Sequence, residues 1–272
     1  MAAVATLDHV TFGDRLRAWR MRRRLSQLQL ATDAGVSARH LSFLETGRSK
    51  PSRELVLHLA EHLDVPLRER NTLLVAAGFA PSFRETPLEA APMSPVKQAI
   101  DALLRSHEPY PAVVVDRKWD LVAANRPTLM LIEGCDQELL RPPVNVMRLS
   151  LHPGGLAPRV VNDDQYREHL LTRLARQVHV TGDQQLAALY QEVKGYAGDH
   201  VERTGGEPID VVLPLRLRSP FGELALFSTI SVFGTPVDIT LDEIAIESFF
   251  PADEHTRTVL HEQFGSSERS ES

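Results

Sequence analysis

The side chains best suited to chemistry lie in a basic segment near the N-terminus. Ser26 and Ser37 are natural helix N-caps, and Gly35 suits a tight turn, so the sequence predicts two short helices joined at that turn. The small side chain of Ala31 lets the helices pack closely, and the second helix is then free to enter the major groove of DNA. Arg39 falls in its first turns, where a planar guanidinium matches O6 and N7 of guanine.

Further residues around this turn are predicted to contact DNA in different ways. The backbone N–H and side-chain amide of Gln27 can clamp a phosphate, and His40 is expected to reach another. Ala38 or Phe43 can touch a thymine methyl group, although core packing is an equal alternative for Phe43. Arg53 and the two basic residues before it, Arg48 and Lys50, follow the second helix and are expected to supply salt-dependent attraction to the phosphate backbone. The predicted DNA-binding set is Gln27, Ser37, Ala38, Arg39, His40, Ser42, Phe43, Arg48 and Lys50.

The charge distribution supports a polyanionic partner for this segment. The 272-residue chain has a net charge of −6, yet residues 11–53 contain ten basic and three acidic side chains. The remaining residues are therefore acidic overall. A basic head on an acidic body favours nucleic acid as the partner of the head and repels it elsewhere. A solvated basic helix face remains the alternative on charge alone.

The elements that must position these side chains form two domains. Apolar spacing and helix caps predict five short helices, which make an all-α domain over residues 11–79. Residues 80–94 are rich in proline and predict a semi-rigid linker. Residues 95–264 predict an α+β domain with about five strands, and residues 265–272 a disordered tail. The strands are expected at 112–116, 119–124, 209–218, 223–232 and 237–250, and the helices of this domain at 95–107, 125–133, 163–178 and 183–196.

The basic head resembles the Xre/lambda-repressor-like helix-turn-helix family. The resemblance covers residues 11–79 and includes the ending Leu-Glu-x-Gly-Arg-x-x-Pro, which runs from Leu44 to Pro51. It implies sequence-specific binding to a double-stranded DNA operator. It also implies that Glu45 pairs with Arg20 inside the fold instead of contacting DNA. Proteins of this kind usually read two half-sites as dimers, so a homodimer is expected.

The rest of the chain is similar to the MmyB-like transcription regulators. The similar segments are 84–88, 107–112, 149–159, 233–240 and 247–253, which include His-Pro-Gly-Gly and Phe-Gly-Thr-Pro. The resemblance implies a fold class in which an all-α lambda-repressor-like domain is followed by a PAS-like α+β domain. It further implies a cavity for a small apolar effector, with a fatty-acid-like molecule as the leading expectation.

Residues for the head group of such an acid can be proposed from their chemistry. Arg148 and His152 flank an apolar stretch and could neutralise a carboxylate, and Asn125 could donate a hydrogen bond to it. Each of the three is more often a satisfied structural residue. The apolar strand faces likewise fit a packed core, so a body that only dimerises or binds a protein, without ligand, stays open as the alternative.

Other function classes find little support in the sequence. Cys135 is the single cysteine, which excludes an intrachain disulfide and zinc sites that need two thiolates. No apolar run is long enough to span a membrane, and the N-terminus has no secretory pattern, so a cytoplasmic location without membrane contact is expected. Common catalytic and phosphate-binding motifs are absent, and Leu59 after His58 breaks the metalloprotease pattern that His62 would complete. We therefore expect neither catalysis nor a metal or cofactor, and an enzyme that regulates its own expression is the remote rival.

Overall fold

The computed structural model describes residues 10–197 and 213–265. The chain divides into two compact units. The first unit is formed by the chain up to Glu85 together with the segment Pro236–Asp242, and the second by Thr86–Thr235 and the chain from Glu243 onward. Within the described ranges, no helix combines the length and apolar character that crossing a membrane requires.

The first unit contains the five predicted helices. They are α1 (Phe12–Arg22), α2 (Gln27–Asp33), α3 (Ala38–Glu45), α4 (Arg53–His62) and α5 (Leu67–Ala76). The first four begin at a Thr or Ser whose hydroxyl accepts a hydrogen bond from the first turn, at Thr11, Ser26, Ser37 and Ser52. These caps explain why short helices begin at the residues that the sequence indicated.

One core holds these helices together. Leu16, Leu30, Leu41 and Leu59 are fully buried within it. Helix α1 crosses the end of α3 so closely that a Cβ atom at Gly13 would lie 2.5 Å from the carbonyl oxygen of Glu45. Only glycine fits there, and this close contact sets the distance between α1 and the end of α3.

The second unit combines helices with a curled sheet. Its elements are α6 (Ser94–His107), β1 (Ala112–Val115), β2 (Leu121–Ala124), α7 (Arg126–Ile132), α8 (Val146–Leu151), α9 (Asp163–Thr181), α10 (Gln184–Lys194), β3 (Leu215–Ser219), β4 (Gly222–Val232), β5 (Ala245–Pro251) and, after it, the last helix, Glu254–Phe264. The strand order is β2-β1-β5-β4-β3, and every neighbouring pair is antiparallel. The α+β fold class and the five strands are thus confirmed.

Buried side chains lie on both sides of the sheet. Val113 belongs to a cluster with Leu174 of α9, whereas Val114, on the opposite face of β1, belongs to a cluster with Ile100 of α6. The sequence did not predict α8 or the last helix. Residues 209–212 of an expected strand and the expected disordered tail from residue 266 onward lie outside the described residues.

The expected strand at 237–250 is wrong in its first half. Residues Ile239–Asp242 form a short helix, α11, so that the last helix is α12, and the strand begins only at Ala245. Asp238 starts a turn, because its carboxylate accepts a hydrogen bond from Thr240 N at 3.0 Å and its carbonyl accepts one from Asp242 N. β-branched composition favoured a strand, but the buried position of Ile239 in the first unit decides the outcome. We call Pro236–Asp242 the clip.

Candidate nucleic-acid interface and ligand site

Helices α2 and α3 form the predicted helix-turn-helix. Gly35 takes a φ of +62°, which glycine adopts without strain, and Val36 N then donates to the carbonyl of Ala31 at 2.9 Å to close the turn. The hydroxyl of Ser37 accepts a hydrogen bond from His40 N at 3.1 Å and caps α3. The turn thus leaves the first turns of α3 on the surface of the unit.

The predicted DNA-binding residues at the start of α3 differ in exposure, and Ala38 packs partly against the core. Ser37 and Arg39 are exposed, and the residues Ala38, His40, Ser42 and Phe43 are half-buried. The Arg39 guanidinium lies over the Phe43 ring, 5.3 Å from its centroid. Phe43 is not among the side chains packed against the core of this unit, so it supports Arg39 from the surface. The Nε2 atom of His40 is buried without a hydrogen-bond partner.

Arg20 and Glu45 form the internal ion pair that the family resemblance implied. Arg20 Nε and Nη2 donate to the two carboxylate oxygens of Glu45 at 2.6 and 2.9 Å, and Nη1 donates to the Leu25 carbonyl at 2.7 Å. Burial raises the pKa of Glu45, but hydrogen bonds from Arg20 and Gln27 outweigh it and hold the pKa below its ordinary value. Glu45 is therefore a charged structural residue that ties α1 to α3.

Gln27 takes part in the same network. Its Nε2 atom donates to Glu45 Oε2 at 2.7 Å, so the side-chain amide is already used inside the protein. The backbone N–H of Gln27 lies at the start of α2, where helix N–H groups have no intrahelical acceptor. A phosphate contact at Gln27 thus depends on the backbone instead of the side chain.

The basic residues that follow α3 divide into two groups. Arg48 and Lys50 are exposed after the turn at Gly47, as phosphate contacts require. Arg53, also expected at phosphate, instead donates to the Ser82 hydroxyl. Arg23 donates to the carbonyls of Leu63 and Asp64 and is structural as well.

The ligand candidates of the second unit do not lie in one group. Asn125 is buried at the start of α7, where its Oδ1 atom accepts hydrogen bonds from Ala112 N at 2.9 Å and the Thr128 hydroxyl at 3.0 Å. Its Nδ2 atom donates to the carbonyls of Leu104 and Tyr110. The amide thus holds α6, β1 and α7 together, and protein atoms already fill its hydrogen-bonding positions.

Arg148 and His152 contact two neighbouring residues, Glu192 and Tyr196, at the edge of α8. Arg148 makes a two-point ion pair with Glu192 at 2.7 and 2.8 Å, and the Tyr196 hydroxyl donates to the same carboxylate at 2.5 Å. The His152 ring packs edge-on against the Tyr196 ring, with 4.8 Å between centroids. The Arg148 and Glu192 side chains are about 40% exposed, at 41% and 39%, so an external carboxylate can reach them.

The electrostatics of this group follow from the ion pair. The hydrogen bond from Arg148 lowers the pKa of Glu192, and the bond to Glu192 raises the pKa of Arg148. Burial, together with the adjacent Glu192 carboxylate, raises the pKa of Tyr196 to about 12. The group therefore holds a fixed cation, a fixed anion and a neutral phenol around neutral pH.

A second polar group, inside the sheet, was missed by the sequence reasoning. Glu247 on β5 is buried and accepts hydrogen bonds from Arg173 at 3.1 Å and from the Ser228 hydroxyl at 2.7 Å. Arg173 also stacks over the Trp119 ring at 4.3 Å, and burial raises the pKa of the Tyr166 phenol close by. An acidic residue within an otherwise apolar strand was the available signal.

Comparison with known proteins agrees with this two-unit architecture. Residues 11–73 match the family described as helix-turn-helix domain, and residues 96–262 match the family described as MmyB-like transcription regulator ligand binding domain. The HTH-type transcriptional repressor RghR of Bacillus subtilis (strain 168) is 40% identical over 76 residues, which are 28% of this chain and 54% of that protein. The chain thus spans about half the length of this curated relative.

Two solved structures are also similar in part. The restriction-modification controller protein C.AhdI from Aeromonas hydrophila is 38% identical and matches 23% of this chain and 96% of its own, with a TM-score of 0.22. An RNA-binding light-oxygen-voltage receptor is 14% identical and matches 92% of this chain and 60% of its own, with a TM-score of 0.29. Since the ligand-binding-domain match alone covers more than half of the residues, the chain belongs to the MmyB-like transcription regulators, DNA-binding regulators with an N-terminal helix-turn-helix and a C-terminal ligand-binding domain.

Proposed function

We propose that this regulator is a cytoplasmic homodimer of the Xre type that binds a specific operator and senses a small apolar acid through its second unit. The exposed first turns of α3 beside a fully capped turn carry the DNA-binding half of the proposal. Arg39 reads a guanine, Phe43 or Ala38 meets a thymine methyl group, and Arg48 and Lys50 attract phosphates. Two copies supply the base contacts that one short helix lacks.

The Arg148 group is our proposed anchor for the acid. Arg148 already holds one carboxylate in a two-point geometry, and that pair is accessible. The effector carboxylate takes the place of Glu192, since a guanidinium makes the same two-point contact with either carboxylate. The effector tail lies along the Tyr196 ring, which packs against the buried apolar cluster of Met147, Leu151 and Val193. His152 adds a second donor, and Asn125 acts by holding the local fold.

The main alternative is a body that only dimerises or binds another protein. The observation that favours it is that Asn125, Arg148 and His152 all have protein partners. Such a regulator binds its operator with the same affinity whether or not a metabolite extract is present.

Native mass spectrometry of the full-length chain separates the two proposals. A dimer that retains a small apolar acid, identified after extraction, supports the sensor. An empty dimer that also fails to respond to metabolite extract, in an anisotropy assay on an operator selected from random DNA, supports the alternative.

Variants of the anchor make the test specific. Arg148→Met should weaken retention of the acid at least about tenfold, because it removes the two-point charged contact. Arg141→Met is the matched control, since Arg141 pairs with Glu138 on the exposed surface of the same unit. Equal retention by both variants contradicts the anchor.

A further inference from the structure

An open groove in the first unit is lined by none of the predicted DNA-binding residues. Its volume is about 750 Å³, within the usual range for small-molecule sites. It lies between the start of α1, one face of α5 and two later parts of the chain, Glu85 and the clip. The lining residues are Val10, Thr11, Arg15, Arg68, Asn71, Thr72, Val75, Ala76, Glu85 and Ile239.

Arg15 is the unusual side chain of this groove. Its Nε atom is buried, yet it has no hydrogen-bond partner among protein atoms. Buried guanidinium nitrogens are nearly always paired, so the orphaned Nε marks Arg15 as a guanidinium that no described protein group holds at this atom. Arg15 lines the groove, so an acceptor bound in the groove can reach its guanidinium.

Other polar groups of the groove are engaged. Arg68 forms a two-point ion pair with Glu85. The Asn71 amide binds the chain at Ser82 and Phe83, with its oxygen accepting from both backbone nitrogens. These groups shape the groove, whereas Arg15 is left as a cation for a ligand.

The remaining wall of the groove is apolar. Val75 is 57% exposed on α5, Ala76 beside it is half-buried, and the buried clip residue Ile239 lies at the edge of the same wall. A cation beside an apolar wall matches the head and tail of a short amphipathic carboxylate. We propose that the groove is a second small-molecule site, distinct from the Arg148 group, for a carboxylate with a short apolar chain, and that Arg15 binds the carboxylate.

The clip closes one side of the groove. Ile239 is buried, its N–H donates to the Arg84 carbonyl at 2.8 Å, and the Asp242 carboxylate accepts from Leu67 N at 3.2 Å. These hydrogen bonds hold that wall of the groove in place.

Hexanoate is the probe for the test, titrated into the full-length Arg148→Met chain, in which the proposed effector site is removed, and followed by ligand-observed NMR. Acetate, which lacks the chain, and hexan-1-ol, which lacks the charge, are the matched probes. Arg15→Met should weaken hexanoate binding at least about tenfold, because it keeps the stem and removes the charge. Arg17→Met, at an exposed position of the same helix, should leave the affinity unchanged.

Val75→Glu is a second variant, at an exposed position where the substitution should leave the stability of the fold unchanged. Its carboxylate repels the ligand and should weaken hexanoate binding in the same way as Arg15→Met. The proposal is overturned if either variant, made in the Arg148→Met background, binds hexanoate as that background does, or if acetate binds as tightly as hexanoate. Arg148→Met should leave groove binding intact, so failure here and failure of the proposed effector site can be told apart.

Discussion

The ion pair between Arg20 and Glu45 offers the sharpest test of how the DNA-binding unit is held together. Glu45→Gln removes one charge but keeps the size of the side chain. The Glu45 side chain is 2% exposed and that of Arg20 is 11% exposed, so water cannot replace the lost partner. The variant leaves a buried guanidinium with a neutral amide in place of the carboxylate that accepted two of its hydrogen bonds.

The size of the effect follows from this burial. Breaking a buried pair by removing one partner costs about 3–5 kcal/mol, because the remaining charge is uncompensated. A small domain has a total stability of roughly 5–15 kcal/mol, so the loss is a large part of it. In the variant Arg20→Met/Glu45→Met, both charges are absent, and most of the lost stability should return.

The measurement is the free energy of unfolding in urea, followed by Trp19 fluorescence in a Trp119→Phe background. Trp19 is buried in the core of the first unit and reports on that unit. Glu61→Gln, at an exposed position of α4, is the control and should change stability by less than about 0.5 kcal/mol. The reasoning fails if Glu45→Gln costs less than about 1 kcal/mol, or if the double variant loses the sum of the two single losses.

Acid should remove the same contribution. The folded pKa of Glu45 is lower than its ordinary value, which is about 4.3 in an unfolded chain. The carboxylate therefore stabilises the unit fully above the unfolded value, and this contribution is lost as pH falls through the lower, folded value. The wild type should lose more stability than Glu45→Gln over that acidic window, and parallel pH profiles would contradict the assignment.

Three further outcomes are expected. Arg39→Ala should cost about 1–3 kcal/mol of operator binding and relax the base preference at one base pair. Lys50→Ala should weaken binding to all DNA sequences alike and lower the slope of log affinity against log salt concentration by about 1. Fluorescence anisotropy with operator DNA and with mismatched DNA distinguishes the two outcomes. Gly13→Ala should destabilise the first unit by about 1–3 kcal/mol in urea, because its Cβ meets the Glu45 carbonyl, and an unchanged midpoint would deny the close crossing. Leu151→Ala should cost the second unit about 2–5 kcal/mol by calorimetry, since the side chain is fully buried, and a smaller loss means that the site collapses.

Local chemistry explains why the helical unit could be predicted so fully. Ser26, Ser37 and Ser52 each cap their own helix, because the hydroxyl accepts a hydrogen bond from the backbone N–H three residues later. Gly35 sits at a turn that needs a positive φ. Each signal acts within one turn of chain, so the sequence carries it directly.

The second unit depends on contacts that sequence spacing does not show. The clip has a strand-like composition, yet its place is decided by burial of Ile239 against residues more than 150 positions earlier. The pair Arg148 and Glu192 is 44 residues apart, and Arg173 and Glu247 are 74 apart. Partners at such distances follow from how the helices pack on each other and on the sheet, which a single sequence does not reveal.

The head also shows why residue type alone misassigns roles. Arg20, Arg23 and Arg39 have the same guanidinium, but the first is held by Glu45 and the second by two backbone carbonyls. Only Arg39 of these three is exposed on the recognition helix. The positive charge of the segment is therefore divided between cations that hold the helices in place and cations that are free to meet DNA. Since Arg20 ties α1 to α3 through Glu45, a loss at Arg20 should impair DNA binding although Arg20 itself makes no contact with DNA.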